Sequence, residues 1–213
     1  MLPVESKDYK MSSLNELGRK HGTDKATYHQ YLDFYQEYLE PYKNSMSRML
    51  EIGVKTGASI RMWRDWLPQH TQIEGWDIRN LPTIENTNLK IVDQTNKEQI
   101  YQNISGVYDF ILDDGLHSQQ SIETSFSCLF PFCKIYIIED LHAPWCFKTY
   151  ERGKFTIDLI ETLMSENLWN SEFSDIQQAK YIMSFARVEK IFIRGTRNKP
   201  DSMSAIIKNL YYE

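Results

Sequence analysis

Met49-Leu50-Glu51-Ile52-Gly53-Val54-Lys55-Thr56-Gly57-Ala58-Ser59 is the stretch on which the fold turns. Residues 49–52 read as a short strand closed by Gly53. A second glycine, Gly57, follows, and residues 59–67 read as a helix with Ile60, Trp63 and Leu67 on one face. Strand, glycine loop and helix open a βαβ unit. Glycines in such a turn let backbone approach a ligand closely, and the start of the helix presents free N–H groups. The spacing is E-x-G-x-x-x-G. It is neither the G-x-G-x-x-G of nicotinamide enzymes nor a P-loop, whose lysine is missing, which disfavours a dehydrogenase and nucleoside-triphosphate hydrolysis. Two plain turn glycines after a strand are the competing reading.

Working outward, residues 73–78, 89–92, 108–112 and 135–138 read as further strands. Residues 98–104, 121–130 and 155–169 read as helices between or after them. Upstream, Ser12 or Ser13 caps a short helix through Leu14, Leu17 and Gly18. Tyr28, Tyr31, Leu32, Tyr35, Tyr38 and Leu39 then recur at spacings of three and four, a helical stripe ending before Pro41. Residues 181–185 and 188–193 read as a closing antiparallel pair. The alternation predicts an α/β fold, Rossmann-like, with a mostly parallel sheet, an antiparallel terminal strand and an N-terminal helical extension. The expected organisation is one domain over 1–213, with 1–45 covering the active site and 46–213 forming the core.

A length of 213 residues suits one domain. Hydrophobic residues are 41% and charged ones 25%, an ordinary globular composition that excludes a disordered or collagen-like chain. The net charge of −5 argues against nucleic acid or an anionic membrane as a partner, because both select basic patches. The longest apolar run in the strand region, 135–138, is far short of a membrane span, and the first fourteen residues lack the apolar core of a signal peptide. Cys128, Cys133 and Cys146 form no C-x-x-C and cannot all pair internally, so reduced thiols and a cytoplasmic location are expected.

In a parallel sheet, ligands collect at the carboxyl ends of the strands. Asp77 ends the second strand, 24 residues after Gly53, a spacing that suits a carboxylate on ribose hydroxyls. Asp93 and Gln94 end the third; Asp93 is either an acceptor for an adenine amine or a turn aspartate. The fourth ends in Asp113-Asp114-Gly115-Leu116-His117 and the fifth in Glu139-Asp140-Leu141-His142. Two acidic pairs on adjacent strand ends repel one another unless something positive lies between them. A hard divalent cation with oxygen ligands, Mg²⁺, meets that need, with Asp113, Asp114, Glu139 and Asp140 as candidate ligands. Helix capping, or pairing with Lys and Arg, is the alternative. His117, three residues after Asp114, suits a general base. Its pKa would rise beside carboxylates and fall beside a cation.

Taken together these residues resemble a class I S-adenosylmethionine-dependent methyltransferase. The closer likeness is to metal-dependent sugar O-methyltransferases of the macrocin and mycinamicin type and to the cephalosporin-hydroxylase-like family. It is carried by His21-Gly22-Thr23-Asp24-Lys25 with Tyr28-His29-Gln30-Tyr31, by Leu50 through Ser59, and by Met62-Trp63-Arg64-Asp65-Trp66. It continues through Gly75-Trp76-Asp77-Ile78, Asp93-Gln94, Asp109 through His117, and Ile138-Glu139-Asp140-Leu141-His142 with Trp145. The resemblance implies that Gly53 and Gly57 cradle the methionine part of S-adenosyl-L-methionine, with Glu51 and Ser59 of the same motif as further cofactor-binding candidates. It implies Asp77 on ribose, and Asp93 and Gln94 near adenine. Glu139 and Asp140 would hold Mg²⁺ with one acid of the 113–114 pair, which one being open. His117 would be the base, with Asp114 beside it. His142, Trp145, Tyr28 and Tyr31 are candidates for the acceptor side. The implied activity is methyl transfer to a hydroxyl of a sugar-containing small molecule in natural-product or carbohydrate biosynthesis. A phenolic or other small polar acceptor, and a non-catalytic nucleotide-binding relative, are the alternatives, and a homo-oligomer is left open. Leu116 stands where the family often has Ser, and Phe132-Cys133-Lys134 where it commonly has two glycines.

Overall fold

The computed structural model describes residues 12–79, 81–143, 156–196 and 199–213. Its strands are β1 (Arg48–Ile52), β2 (Gln72–Asp77), β3 (Thr87–Ile91), β4 (Tyr108–Asp113), β5 (Cys133–Ile138), β6 (Ala186–Thr196) and β7 (Lys199–Asn209). They form one sheet in the order β3-β2-β1-β4-β5-β7-β6. The first five are parallel, and β7 runs antiparallel between β5 and β6. The helices are α1 (Leu14–His21), α2 (Asp24–Thr27), α3 (Leu32–Leu39), α4 (Ala58–Trp66), α5 (Lys97–Asn103), α6 (Gln119–Leu129), α7 (Thr156–Glu166) and α8 (Ile176–Phe185).

Alternation along the strands sends successive side chains to opposite faces, so a sheet covered on both sides is apolar throughout. Leu50, Ile111, Tyr136, Ile138 and Ile207 face one layer, with Phe126, Ile157 and Ile182 of α6, α7 and α8. Met49, Phe110, Leu112, Ile137 and Ile206 face the other, with Leu14, Leu32 and Tyr35 of the N-terminal helices and Trp63 of α4. The N-terminal segment therefore shares the core of the sheet.

Two expectations change. The tyrosine stripe is not one helix. α2 ends at Thr27, Gln30 takes a left-handed φ of 61°, and α3 starts only at Leu32. The three- and four-residue spacing survives across the break because Tyr31 N–H bonds the Lys25 carbonyl, which keeps Tyr31, Leu32, Tyr35 and Leu39 buried together. Residues 181–185, expected as a strand, lie in α8, whose start is set by a capping box between Asp175 and Gln178. Residues 188–193 lie in β6 as expected, but their partner is β7, where buried Ser202 and Ser204 dilute the apolar signal of a strand covered on both faces.

At the opposite end of the sheet from the glycine loop, Asp109 braces β1 against β4 and β5. It accepts hydrogen bonds from Ser47 N (2.6 Å), Arg48 N (3.0 Å) and Lys134 Nζ (2.7 Å). Burial pushes its carboxyl up, but Lys134 and these N–H groups outweigh that and hold it below its ordinary 3.8. A depressed folded-state pKa contributes stability that is present above the unfolded value and is lost as pH falls through the folded one. Asp109→Asn is expected to cost about 1.5–3 kcal/mol near neutrality, the worth of charged hydrogen bonds, with the deficit closing in acid below about pH 4. Urea unfolding of both proteins across this range checks it; a deficit independent of pH would mean that the charge contributes nothing.

Candidate active site

Register places the ends of four strands in one row. Ile52 lies opposite Trp76 in β2 and Asp113 in β4, and Asp113 lies opposite Ile138 in β5. The next residues of these strands, Gly53, Asp77, Asp114 and Glu139, therefore meet where the chain leaves the sheet. β1 and β4 are also where strand order reverses, the place where open α/β sheets bind ligands. A cleft of about 420 Å³ opens there. Gly53, Ser59, Asp77, Asp93, Gln94, Asp114, His117 and Asp140 line it, and residues 22–25 close one side. That volume falls within the usual range for small-molecule sites.

One half of the cleft is backbone and turn. Gly53 has φ 92°, and a Cβ there would lie 1.9 Å from the Asp114 carbonyl oxygen, so only glycine lets the two loops touch. Gly57 is the N-cap of α4 with φ 78°, and Ala58 and Ser59 of the first turn face the cleft without a side-chain cap. Asp77 accepts from Lys55 N (2.8 Å) and Arg79 N (3.0 Å). Asp93 accepts from Thr95 N and Oγ1 at 2.8 and 2.7 Å. Gln94 is buried against Gly115, accepts from Leu116 N (2.9 Å) and donates to Asp113 Oδ1 (3.1 Å). Glu51 does not reach the cleft. It is fully buried and accepts from Ser59 Oγ (2.5 Å). Burial pushes its carboxyl up to about 7, against the pull of Lys25 and Ser59.

The other half is acidic, and sequence reasoning missed its main cation. Lys25 of α2 is 1% exposed, and its ammonium sits among three carboxylates. It donates to Asp114 Oδ2 and to Glu139 Oε2 (3.0 Å), with Glu51 Oε1 at 3.9 Å. Burial disfavours its charge, but Asp114, Glu139 and Glu51 hold its pKa well above the ordinary lysine value. The positive partner that the acidic pairs require is thus supplied in part by the chain itself. Glu139 is pushed well above the carboxylate range by burial, partly offset by Lys25. Its other oxygen, Oε1, is buried with no hydrogen-bond partner among the described residues.

Of the two aspartates ending β4, Asp114 faces the cleft. Asp113 turns inward, where Gln94 Nε2, Ser125 Oγ and Tyr136 OH (3.0 Å) donate to it, and burial pushes its carboxyl up. Asp113 is therefore not brought to the acidic group. His117 Nε2 lies 3.6 Å from both Asp114 Oδ1 and Asp140 Oδ2. His117 and Asp140 both take left-handed backbone, φ 61° and 54°. With Lys55, φ 52°, three non-glycine residues lining one cleft take this strained conformation, the kind of feature that clusters at functional sites. Asp114, His117 and Asp140 offer ligand atoms that all lie within 4.8 Å of one another, and the two carboxylates are hard oxygen donors of the kind Mg²⁺ takes.

The acceptor-side candidates separate. Tyr28 is 62% exposed and carries Arg194 over its ring. Tyr31 is buried beneath the cleft, not in its wall, and donates to Asp140 Oδ1 (2.8 Å). His142 is buried beside Asp140 as well. Trp145, like Cys146, lies outside the described residues. His29, not singled out as a functional residue from sequence, stacks on Tyr31 and approaches Asp140 Oδ1 at 3.5 Å. Burial holds both His29 and His142 below the ordinary histidine pKa, with Asp140 pulling the other way.

The strand order, the antiparallel β7 and the ligand cleft at the switch point decide the architecture. The chain has the fold of a class I methyltransferase. MycE methyltransferase from the mycinamycin biosynthetic pathway, solved with Mg, SAH and mycinamycin VI, superposes on 94% of this chain and 55% of its own, with TM-score 0.74 and 24% identity. Mycinamicin VI 2''-O-methyltransferase of Micromonospora griseorubida is 31% identical over 143 residues, 60% of this chain and 36% of the relative. Demethylmacrocin O-methyltransferase of Streptomyces fradiae is 32% identical over the same shares. The methyltransferase-fold chain thus spans just over a third of the length of these curated relatives. No protein-family model matches it. Among the described residues no helix is long and apolar enough to cross a membrane, and Cys128 and Cys133 are free, buried thiols.

Proposed function

We propose that this chain is an S-adenosylmethionine- and Mg²⁺-dependent O-methyltransferase that acts on a hydroxyl of a sugar-containing small molecule. The observation that carries the reading is the meeting of Asp114, His117 and Asp140 beside the Gly53–Asp77–Asp93 side of one cleft. The relatives support it, since those named above are O-methyltransferases and a third, 28% identical over 143 residues, is 8-demethyl-8-alpha-L-rhamnosyl tetracenomycin-C 2'-O-methyltransferase of Streptomyces olivaceus, whose name carries a sugar. When bound, the sulfonium cofactor would supply an activated methyl group and the divalent ion would supply Lewis acidity toward an acceptor hydroxyl. Asp77 and Asp93 would orient the cofactor through its ribose and adenine, with Gly53 admitting it against the backbone. Asp114, Glu139 and Asp140 would hold the ion, and Lys25 and Tyr31 would fix the angles at which those carboxylates point. His117 would take the proton from the acceptor. Alignment of two bound reactants contributes roughly 7–11 kcal/mol in such transfers.

Two measurements test this. Calorimetry with S-adenosylhomocysteine should show binding, and Asp77→Ala should weaken it by about 10–150-fold, the worth of charged hydrogen bonds of about 1.5–3 kcal/mol. Unchanged affinity would remove the ribose assignment. A screen of glycosylated and phenolic acceptors with labelled cofactor should give turnover on the sugars that EDTA abolishes and Mg²⁺ restores, with cofactor affinity untouched by the chelator. Full activity after thorough chelation would remove the metal from the mechanism, and exclusive turnover of phenols would change the acceptor class.

A further inference from the structure

Asp140 has a second set of neighbours that the methyl-transfer reading does not use. Its Oδ2 faces His117, but its Oδ1 faces His29 Nδ1 at 3.5 Å and His142 Nδ1 at 3.8 Å. Ligand atoms of the three side chains all lie within 4.8 Å of one another. Two donors that each sit about 2.1 Å from a shared ion are less than about 4.2 Å apart, so both Asp140 distances already allow coordination. His142 is 6% exposed, and its Nδ1 points toward Asp140 with no hydrogen-bond partner among the described residues. A buried imidazole nitrogen without a partner is costly unless something else fills that role. The carboxylate is held for such a role: Tyr31 OH donates to the same Oδ1 at 2.8 Å, as groups behind a metal ligand do.

We propose that His29, Asp140 and His142 form a second cation site beside the first, selective for a borderline divalent ion such as Zn²⁺ or Fe²⁺. Two imidazoles and one carboxylate suit those ions, whereas Mg²⁺ prefers oxygen donors. Binding would take His29 Nδ1 from its hydrogen bond with Ser202 Oγ (2.9 Å) and give the orphaned His142 nitrogen its partner. Asp140 would bridge the two sites, Oδ1 toward the histidines and Oδ2 toward the oxygen site, as carboxylates do in two-metal centres. The site does not depend on methyl transfer and shares only Asp140 with the proposed Mg²⁺ set.

The test is a titration of the metal-stripped full-length chain with Co²⁺ alone, read by visible absorption and by native mass spectrometry. Two Co²⁺ per chain are expected, one of them giving the ligand-field bands of a nitrogen-bound ion that excess Mg²⁺ does not displace. His29→Asn and His142→Gln should each remove those bands and leave one ion bound. Asp114→Asn should keep the bands, which separates this site from the oxygen site even if the latter binds no Mg²⁺. In the unsubstituted chain, Zn²⁺ should move the imidazole ¹⁵N resonances of His29 and His142 and leave those of His21 and His70, a readout that needs no variant to fold. Absence of the nitrogen-ligand bands, bands that survive both histidine substitutions, or unmoved His29 and His142 resonances would overturn the proposal, whereas a single Co²⁺ per chain whose bands both histidine substitutions remove would keep this site and count against the oxygen site instead.

Discussion

Lys25→Met is expected to lower the stability of the folded chain by about 3–5 kcal/mol, the usual cost of removing one partner from a buried ion pair. The substitution keeps the length and apolar character of the stem, so its effect reports the ammonium. Lys25 Nζ sits among Glu51, Asp114 and Glu139, two of which are no more than 1% exposed. Without it those carboxylates remain out of water with no counter-charge. In a chain of this size about 2–4 °C of Tm accompanies each kcal/mol, so a fall of roughly 6–20 °C is expected. The deficit should also depend on pH. Burial has pushed the Glu51 carboxyl up to about 7, so the folded state takes up this proton more readily than the unfolded one. Stability tied to a raised pKa is fully present below the unfolded value and is lost as pH rises through the folded one. The Lys25→Met deficit should therefore be larger near pH 8 than near pH 5.5. Adding Glu139→Gln to Lys25→Met should recover part of the loss, because the two groups are in direct contact. A variant within about 1 kcal/mol of the parent near pH 8 would show that the ammonium is not the counter-charge of this cluster.

Lys25 also marks where legibility in the sequence ended. Strands β1, β4 and β5 were readable as short segments rich in apolar residues and bounded by turn residues, β2 and β3 as shorter apolar stretches in the same alternation, and their order made the strand-end acids stand out. Those acids implied a positive partner; the sequence favoured Mg²⁺ and kept pairing with Lys or Arg as the alternative, and Lys25 supplies at least part of that charge. What the local pattern could not supply was its source, because Lys25 lies 89 and 114 residues away in sequence from Asp114 and Glu139. The same limit hid the difference between Asp113 and Asp114. Adjacent strand residues point to opposite faces, but which face is the cleft depends on Gln94, Ser125 and Tyr136 arriving from three other elements. The tyrosines misled for a local reason. A three- and four-residue spacing persists across the break at Gln30, so periodicity placed Tyr28 and Tyr31 on one helix face, while the structure leaves one on the surface and one under Asp140. β7 escaped notice because a strand carrying buried Ser202 and Ser204 alternates neither as a surface strand nor as an apolar run.

His117→Ala is expected to lower kcat for the proposed methyl transfer by about 10²–10⁴-fold, the usual contribution of a positioned general base, with cofactor affinity unchanged. The geometry favours His117 over His142 for this part. His117 lines the cleft, whereas His142 is not among its lining residues and is buried beside Asp140 Oδ1. His117 has left-handed backbone, φ 61°, and its Nε2 lies 3.6 Å from both Asp114 and Asp140. A base placed there would sit beside the oxygens proposed to hold the ion, where an acceptor hydroxyl would lose its proton. His142→Ala can disturb turnover only through Asp140, so its effect should be smaller and should fall on metal affinity. The two roles separate in the pH dependence of kcat. The parent should show a rising acid limb set by the base. His117→Ala should lose that limb and retain a slow rate that grows with hydroxide, while His142→Ala should keep it. Glu139→Gln should damage turnover at least as much as His117→Ala, because it removes a proposed ligand of the ion rather than a proton acceptor. Near-normal turnover in His117→Ala with loss in His142→Ala would reverse the assignment. An unchanged acid limb in both would mean that the hydroxyl gives its proton directly to water, leaving His117 as an orienting neighbour of Asp114 and Asp140.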